Sequence, residues 1–372
     1  MTDQRSSTSQ DGVRFLDMDL NVTAAIALGA PMKVRITLAL PRPSDVPMQP
    51  IVCFALPGAG FSRKYFTFDM PDSHDGGQAG WHAKRGWIFV AVDSVGVGES
   101  SLPEPTQLLY KNVSAANHEV VIQVLKRLEA GDLAPDFPKI NNPVVLGIGQ
   151  SMGGSLIVVQ QARHESFDGI GVLGFSAVFT RPCDLPGKPR VRNPFVTRDS
   201  PPSGADFMSP EKRDATSVNR SLLQFGSTST KSGSVPTPLG WSYHFDDEPT
   251  EIVARDMTSD PLPPWRSATV PGLVTWVTAP GAIAAEAASI VVPVLAAFGE
   301  RDVLDDPRME AKAYRSAVDF CMFICPRMAH MHNFASTREI LWSRIDSWGR
   351  HVLDLKTRLP ENWPARLFSD SY

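Results

Sequence analysis

Gly149-Gln150-Ser151-Met152-Gly153 joins an apolar run to a helical pattern, and this stretch decides the fold. The run Val144–Ile148 is typical of a buried strand, and Ser151–His164 is predicted as a helix. A G-x-S-x-G pattern between a strand and a helix predicts a sharp turn that strains the serine backbone and exposes its Oγ at the end of a sheet. The two glycines leave room for so tight a turn. Because the pattern alone can arise by chance, the strand and helix around it carry the prediction.

Short apolar runs and helical patterns alternate on both sides of this turn. This alternation predicts a mostly parallel, doubly wound α/β sheet. The other predicted strands are Met32–Leu40, Ile51–Leu56, Trp87–Val92, Ile170–Phe175, Val292–Phe298 and Phe320–Cys325. The other predicted helices are Ala115–Leu128, Glu251–Met257, Asp306–Ala317 and a last one that opens at the capping box Ser336-Thr337-Arg338-Glu339.

The alternation of predicted strands and helices is interrupted once, and this interruption predicts a core with an inserted segment. Residues 1–12 are polar and are predicted to be a disordered tail. Residues 13–178 and 291–372 are predicted to form the core. Residues 179–290 are rich in Pro, Ser and Asp and are predicted to be an inserted lid, with the chemistry at its junction with the core.

Four further motifs, in order, make the chain resemble the α/β-hydrolase superfamily from residue 32 to residue 352. Leu56–Gly60 is similar to the family's oxyanion loop, with Pro57 where His is commoner, and Asp93–Ser100 is similar to its D-x-x-G-x-G-x-S turn. Gly299–Asp302 is similar to its G-x-x-D turn, and Ala329-His330 is similar to its terminal histidine turn. We interpret Asp93 as a structural residue that holds its turn. The resemblance implies a doubly wound, mostly parallel α/β-hydrolase sheet with a helical or irregular lid inserted after the family's strand 6.

The resemblance also implies a catalytic triad, whose residues follow the family's order Ser, Asp, His. Ser151 is the expected nucleophile, His330 the base and Asp302 the acid. A neutral imidazole can accept the hydroxyl proton near pH 7, and a carboxylate holds it in the required tautomer. The backbone N–H groups of Met152 and Ala59 are the expected oxyanion hole, with Phe61 as the alternative in that loop.

Two neighbouring histidines compete for the role of the base. His330 lies five residues after Cys325 and six before Ser336, which are the family's spacings. His332 is expected to brace the loop or to contact the substrate. A metal site is disfavoured because no third ligand lies at a useful spacing. Among the rival acids Asp305 and Asp306, the latter precedes a proline and is expected to cap a helix.

A serine nucleophile favours acyl chemistry, so we expect a hydrolase that cleaves a carboxylic ester or lactone of a medium-sized apolar substrate. The alternatives are a C–C bond hydrolase acting on β-diketone-like substrates, an acyltransferase, and a ligand-sensing module without activity. Aromatic rings are expected to line a cleft over the serine or to pack the lid. The expected substrate-binding residues are Phe61, Trp241, Tyr243 and His332. Further candidates for lining this cleft among the aromatic residues of the predicted lid are Phe195, Phe207, Phe225, Phe245, Trp265 and Trp276.

Composition and charge limit which partners and which location in the cell are expected. The chain has 372 residues and a formal net charge of −4, so nucleic acid is not an expected partner. Residues 1–12 lack the apolar segment of a secretory signal, and prolines interrupt the longest apolar stretch, Val270–Phe298. We therefore expect a cytoplasmic protein without a membrane span. No cofactor is implied, and a homo-oligomer is left open. Four scattered cysteines are interpreted as buried thiols: Cys53, Cys183, Cys321 and Cys325.

Overall fold

Nine strands form one sheet in the computed structural model, which describes residues 4–10, 12–71, 73, 75–181, 186–187, 238–258 and 260–359. The strands are β1 Gln4–Gln10, β2 Val13–Asn21, β3 Lys33–Leu40, β4 Ile51–Leu56, β5 Ile88–Asp93, β6 Val144–Gln150, β7 Gly169–Leu173, β8 Val294–Arg301 and β9 Phe320–Ala329. Their order is β1-β2-β3-β5-β4-β6-β7-β8-β9. The first three pair antiparallel, and the six from β5 to β9 pair parallel.

Helices cover both faces of this sheet. They are α1 Gly77–Ala83, α2 Tyr110–Ala130, α3 Met152–His164, α4 Pro238–Tyr243, α5 Thr250–Asp256, α6 Val274–Val277, α7 Ala284–Ser289 and α8 Arg338–Arg358. Successive residues of β4 point to opposite faces: Phe54 packs in the core with α2 and α3, and Cys53 packs in the core with α1 and α8. A parallel strand buried on both faces needs a continuous apolar run, which Ile51–Leu56 supplies. The predicted doubly wound, mostly parallel sheet is therefore confirmed.

The amino-terminal residues join the sheet. β1 pairs antiparallel with β2, from Gln4 opposite Met18 to Gln10 opposite Val13. The disordered tail predicted for residues 1–12 is therefore wrong for residues 4–10. Its polar composition says nothing about backbone pairing, and β2 offers β1 a row of backbone donors and acceptors along its outer edge.

Three predicted boundaries near the carboxyl end are also wrong. The helix predicted over Asp306–Ala317 is only a 3₁₀ helix over Pro307–Lys312, capped by the Asp306 carboxylate. β9 continues to Ala329 instead of ending at Cys325. The capping box is absent, because the hydroxyl of Ser336 donates to Asp247 Oδ2 (2.7 Å) and α8 begins one residue later than predicted. At Ser336 a tertiary contact thus replaces the local hydrogen bond that the sequence pattern suggests.

The division into core and lid remains a prediction, because residues 182–185 and 188–237 lie outside the described residues. Cys183, Phe195, Phe207 and Phe225 are among them. Leu273, Val277 and Ile283 belong to the apolar cluster that also contains the residues of α3, so this part of the predicted lid packs into the main core. Among the helices that the structure describes, none combines the length and apolar character needed to cross a bilayer.

A buried ion pair fastens the loop after β4 to the end of β5. Arg63 is 1% exposed and Asp93 is fully buried. The Arg63 guanidinium donates to Asp93 Oδ2 at 2.7 Å, and its backbone N–H donates to Oδ1 at 2.6 Å. The same carboxylate accepts the backbone N–H of Glu99 at 3.1 Å. Asp93 therefore holds its turn, as predicted, and also anchors the loop that leads to the candidate site.

We expect Arg63→Met to lower the free energy of unfolding by about 3–5 kcal/mol, because it leaves the Asp93 carboxylate buried without its cation. Denaturant titration measures the loss. The matched control is Arg350→Met, which removes an exposed ion pair with Asp346 (2.9 Å) and should cost about 1 kcal/mol or less. Equal losses in the two variants would contradict this assignment.

Candidate active site

The serine lies at a strained turn between β6 and α3. Ser151 has φ 54° and ψ −120°, a conformation that side chains other than glycine adopt at a cost. A Cβ on Gly149 would lie 2.1 Å from the backbone oxygen of Gly153, and a Cβ on Gly153 would lie 2.1 Å from that of Leu56. Only glycine fits at both positions. The backbone thus has the geometry that the G-x-S-x-G pattern predicts.

The candidate acid and both candidate bases meet at the carboxyl ends of β8 and β9. Asp302 follows β8, and its Oδ1 accepts hydrogen bonds from His330 Nδ1 at 2.6 Å and from the backbone N–H of Val303 at 2.7 Å. Its Oδ2 accepts from His332 Nε2 at 2.8 Å and from the backbone N–H of Gly299 at 2.8 Å. Because β8 and β9 are parallel neighbours, their ends bring these side chains together.

This carboxyl group is ionised at neutral pH. Burial alone would raise the pKa of Asp302, but the charges and hydrogen bonds of His330 and His332 outweigh burial and hold that pKa well below its usual range. The site therefore contains a permanent buried anion that is bonded to two imidazoles.

The second ring nitrogen of His330, Nε2, contacts the residue that precedes the serine. Since Nδ1 donates to Asp302, Nε2 is the acceptor in the neutral ring. Gln150, the residue before the serine, contacts His330 Nε2 at 3.4 Å and donates to the backbone oxygen of His330 at 2.9 Å. Within the described residues, no hydrogen bond joins Ser151 Oγ to this nitrogen. Gln150, which is adjacent to Ser151 in the chain, thus contacts both the ring and the backbone of His330.

The two expected oxyanion donors belong to the serine turn and to the loop after β4. A Cβ on Gly58 would lie 3.2 Å from Ser151 Cβ, so the loop after β4 touches the serine turn. In the described part of the chain, the N–H groups of Ala59 and Met152 have no backbone acceptor. The N–H of Phe61 donates to the backbone oxygen of Gly58 at 3.1 Å. Phe61 is therefore already engaged, and the alternative oxyanion donor is disfavoured.

Of the predicted substrate-binding side chains, Tyr243 lies beside His330 with ring centroids 5.1 Å apart. Residues of α4 also hold the histidine loop through its backbone. The N–H of His330 donates to the backbone oxygen of Ser242 at 2.8 Å, and that of Met331 donates to Tyr243 at 2.9 Å. This part of the predicted lid thus positions the candidate base.

Cations cover the two other predicted aromatic residues. The guanidinium carbon of Arg301 lies 3.6 Å from the ring centroid of Trp241, and that of Arg266 lies 4.0 Å from the ring centroid of Phe61. Phe61 is only 1% exposed. These rings pack within the protein here, as does Trp265, which is fully buried.

Sequence reasoning missed a buried charged cluster next to this site. His244 Nδ1 lies 2.6 Å from Glu248 and its Nε2 lies 3.2 Å from Asp256. Asp256 also accepts hydrogen bonds from Trp265 Nε1 at 2.7 Å and from Arg266 at 2.9 Å. Burial lowers the pKa of His244, but its bonds to the two carboxylates outweigh burial and raise it to about 9. The only signal in the sequence is the four-residue spacing of His244 and Glu248.

This cluster makes stability depend on pH. The pKa of His244 is raised above the value of about 6.5 in an unfolded chain. The stabilisation of the folded protein by the protonated His244 is complete below about pH 6.5. It is lost as the pH rises through about 9. We expect the difference in free energy of unfolding between the native protein and His244→Gln to shrink over this range. A difference that stays constant between pH 6 and pH 10 would contradict the assignment.

The fold occurs in other proteins of known structure, although neither a protein-family model nor a curated protein matches the sequence. Peroxisomal alpha-beta-hydrolase Lpx1 from Saccharomyces cerevisiae is 12% identical with a TM-score of 0.54, over 97% of this chain and 89% of that one. A thermophilic esterase from Thermogutta terrifontis is 13% identical with a TM-score of 0.54, over 90% and 98%. A bromoperoxidase from Bacillus anthracis is 14% identical with a TM-score of 0.54, over 90% and 99%. Taken with the parallel sheet and the turn at Ser151, these likenesses show that the chain has the α/β-hydrolase fold.

Proposed function

We propose that this protein is a serine hydrolase that cleaves a carboxylic ester or lactone of a medium-sized apolar substrate through an acyl-enzyme. One observation supports the proposal: Asp302 holds His330 Nδ1 at 2.6 Å, and the other ring nitrogen of His330 contacts Gln150, the residue that precedes the strained Ser151, at 3.4 Å. A buried carboxylate, an imidazole and a hydroxyl in this order can activate the hydroxyl as a nucleophile. The likeness to an esterase fold supports the choice of an ester.

In the first half of the reaction, Ser151 Oγ attacks the carbonyl carbon while its proton passes to His330 Nε2. The N–H groups of Met152 and Ala59 bind the resulting oxyanion, because they have no other backbone acceptor in the described residues. When the tetrahedral intermediate collapses, the bond to the leaving oxygen breaks and that oxygen takes the proton from His330. The acyl group remains as an ester of Ser151.

The second half uses the same groups with water. Water attacks the acyl carbon and gives a proton to His330 Nε2. Collapse breaks the bond to Ser151 Oγ, which recovers that proton, and the carboxylic acid leaves. Asp302 remains a carboxylate throughout and stabilises the imidazolium, a role that its low pKa supports.

A substrate panel tests this proposal. The purified protein should hydrolyse aryl esters or lactones, with acyl groups of intermediate length preferred over acetyl. Cleavage of β-diketones without ester hydrolysis would favour the C–C bond hydrolase, and turnover that requires an added alcohol would favour the acyltransferase. Stoichiometric binding of these compounds without release of product would contradict the enzyme assignment and indicate a ligand-sensing module.

A further inference from the structure

Asp302 binds one imidazole more than the proposed reaction uses. His332 is 1% exposed, and its Nε2 donates to Asp302 Oδ2 at 2.8 Å. Its Nδ1 is buried and has no hydrogen-bond partner among the described residues. A buried imidazole with one strong hydrogen bond and one ring nitrogen without a partner calls for an explanation.

We propose that His332 is a positioning residue that acts through Asp302 to weaken the proton affinity of His330. This inference rests on the proposed function. A hydrogen bond donated to Oδ2 stabilises negative charge on the carboxylate and so reduces the attraction left for a proton on His330. The base then stays unprotonated, and thus active, at a lower pH than with one imidazole on the acid.

His332 is not needed to fix the orientation of the carboxylate. The backbone N–H groups of Val303 and Gly299 already hold Oδ1 and Oδ2, at 2.7 and 2.8 Å. Both bonds remain when the side chain at position 332 changes. Loss of the His332 donor therefore weakens the stabilisation of the negative charge on Asp302 more than it alters the position of the carboxylate.

The geometry also argues against two other roles for His332. It is not placed as the base, because its Nε2 is bonded to Asp302 and its Nδ1 is buried, whereas His330 Nε2 adjoins Gln150 and the serine turn. Direct contact with substrate is disfavoured as well, since Nδ1 has no accessible surface.

The other titratable groups around Asp302 keep one charge state in the acidic and neutral range. Burial and then the charges of neighbouring carboxylates raise the pKa of Tyr65, and burial with the charges of Asp256 and Asp302 raises that of Tyr243 to about 12. Both phenols stay neutral. The cluster of His244, Glu248, Asp256 and Arg266 holds a histidine whose pKa is about 9, so it too stays protonated below pH 8. None of these groups therefore changes its charge near the pKa of about 6.5 of an ordinary imidazole.

The experiment compares His332→Leu, which removes the donor, with His332→Gln, whose side-chain amide keeps one. NMR titration of the histidine carbons measures the proton affinity of His330 directly, without any need for turnover. We expect that affinity to rise by about three- to tenfold in His332→Leu and to stay near the native value in His332→Gln. In His332→Leu the acidic side of the plot of kcat/KM against pH should shift to higher pH, so that the loss of activity is concentrated at low pH.

Two results would overturn the proposal: an unchanged or lowered affinity of His330 in His332→Leu, or an equal shift in both variants. A raised KM in both variants with no shift would instead show that the imidazole contacts substrate. Should His332→Leu fail to fold, the same titration in His332→Phe decides. Failure of the proposed function is a separate result, because it appears as native protein without ester hydrolysis that depends on Ser151.

Discussion

Ser151→Ala lowers kcat/KM for an activated aryl ester by about 10⁴-fold or more, on the proposed mechanism. Without the hydroxyl no acyl-enzyme forms, and the remaining groups cannot replace it because triad members act as a unit. Steady-state kinetics with a chromogenic ester measures the loss. A variant that keeps more than a tenth of the native activity would show that Ser151 is not the nucleophile.

A second serine controls for the substitution itself. Ser347 lies on the exposed side of α8, where its hydroxyl donates only to the backbone oxygen of Ser343 (2.9 Å). Ser347→Ala should therefore hydrolyse the same ester at close to the native rate. Circular dichroism of both variants checks that the comparison is made between folded proteins.

His330→Ala should lose activity to a similar extent, about 10⁴-fold, because it removes the group that takes the proton from Ser151. His332→Ala should lose much less, since Asp302 and His330 both remain. The matched pair separates the two histidines, which share one carboxylate at 2.6 and 2.8 Å. The reverse ranking would move the base to His332 and contradict the mechanism proposed above.

The central strands could be predicted from the sequence because they are buried on both faces. Ile51–Leu56 is the same segment as predicted and as found, and Val144–Gln150 extends its prediction by two residues. A strand of this kind is mostly apolar, so the apolar run marks its position in the sequence; Pro50 and Pro57 bound Ile51–Leu56, whereas Val144–Gln150 continues through Gly149 and Gln150. The turn at Ser151 could be predicted for a similar reason, because its two glycines have no substitute.

The edges of the sheet could not be predicted in the same way. Val13–Asn21 alternates between buried and half-buried residues, a weaker signal than a continuous apolar run, and the polar sequence of β1 gives no sign of its backbone pairing with β2. The spacings that favoured His330 also depend on ends that differ: β9 runs to Ala329, and α8 is capped at Thr337. In the structure His330 Nε2 contacts Gln150, whereas His332 Nε2 is bonded to Asp302.

Contacts distant in sequence complete the candidate site. Gln150 bonds to His330 across 180 positions, and His332 bonds to Asp302 across 30. No local pattern encodes such contacts. The resemblance could therefore indicate Ser151, Asp302 and His330 as candidates, but not that Gln150 contacts His330 or that two histidines share the acid.

The activated serine is the central claim, and labelling with a fluorophosphonate followed by mass spectrometry tests it most directly. We expect a single adduct per chain, on the peptide that carries Ser151; this adduct should be absent in Ser151→Ala and should form far more slowly in His330→Ala. A native protein that hydrolyses esters but carries its adduct on another residue, or none at all, would contradict it.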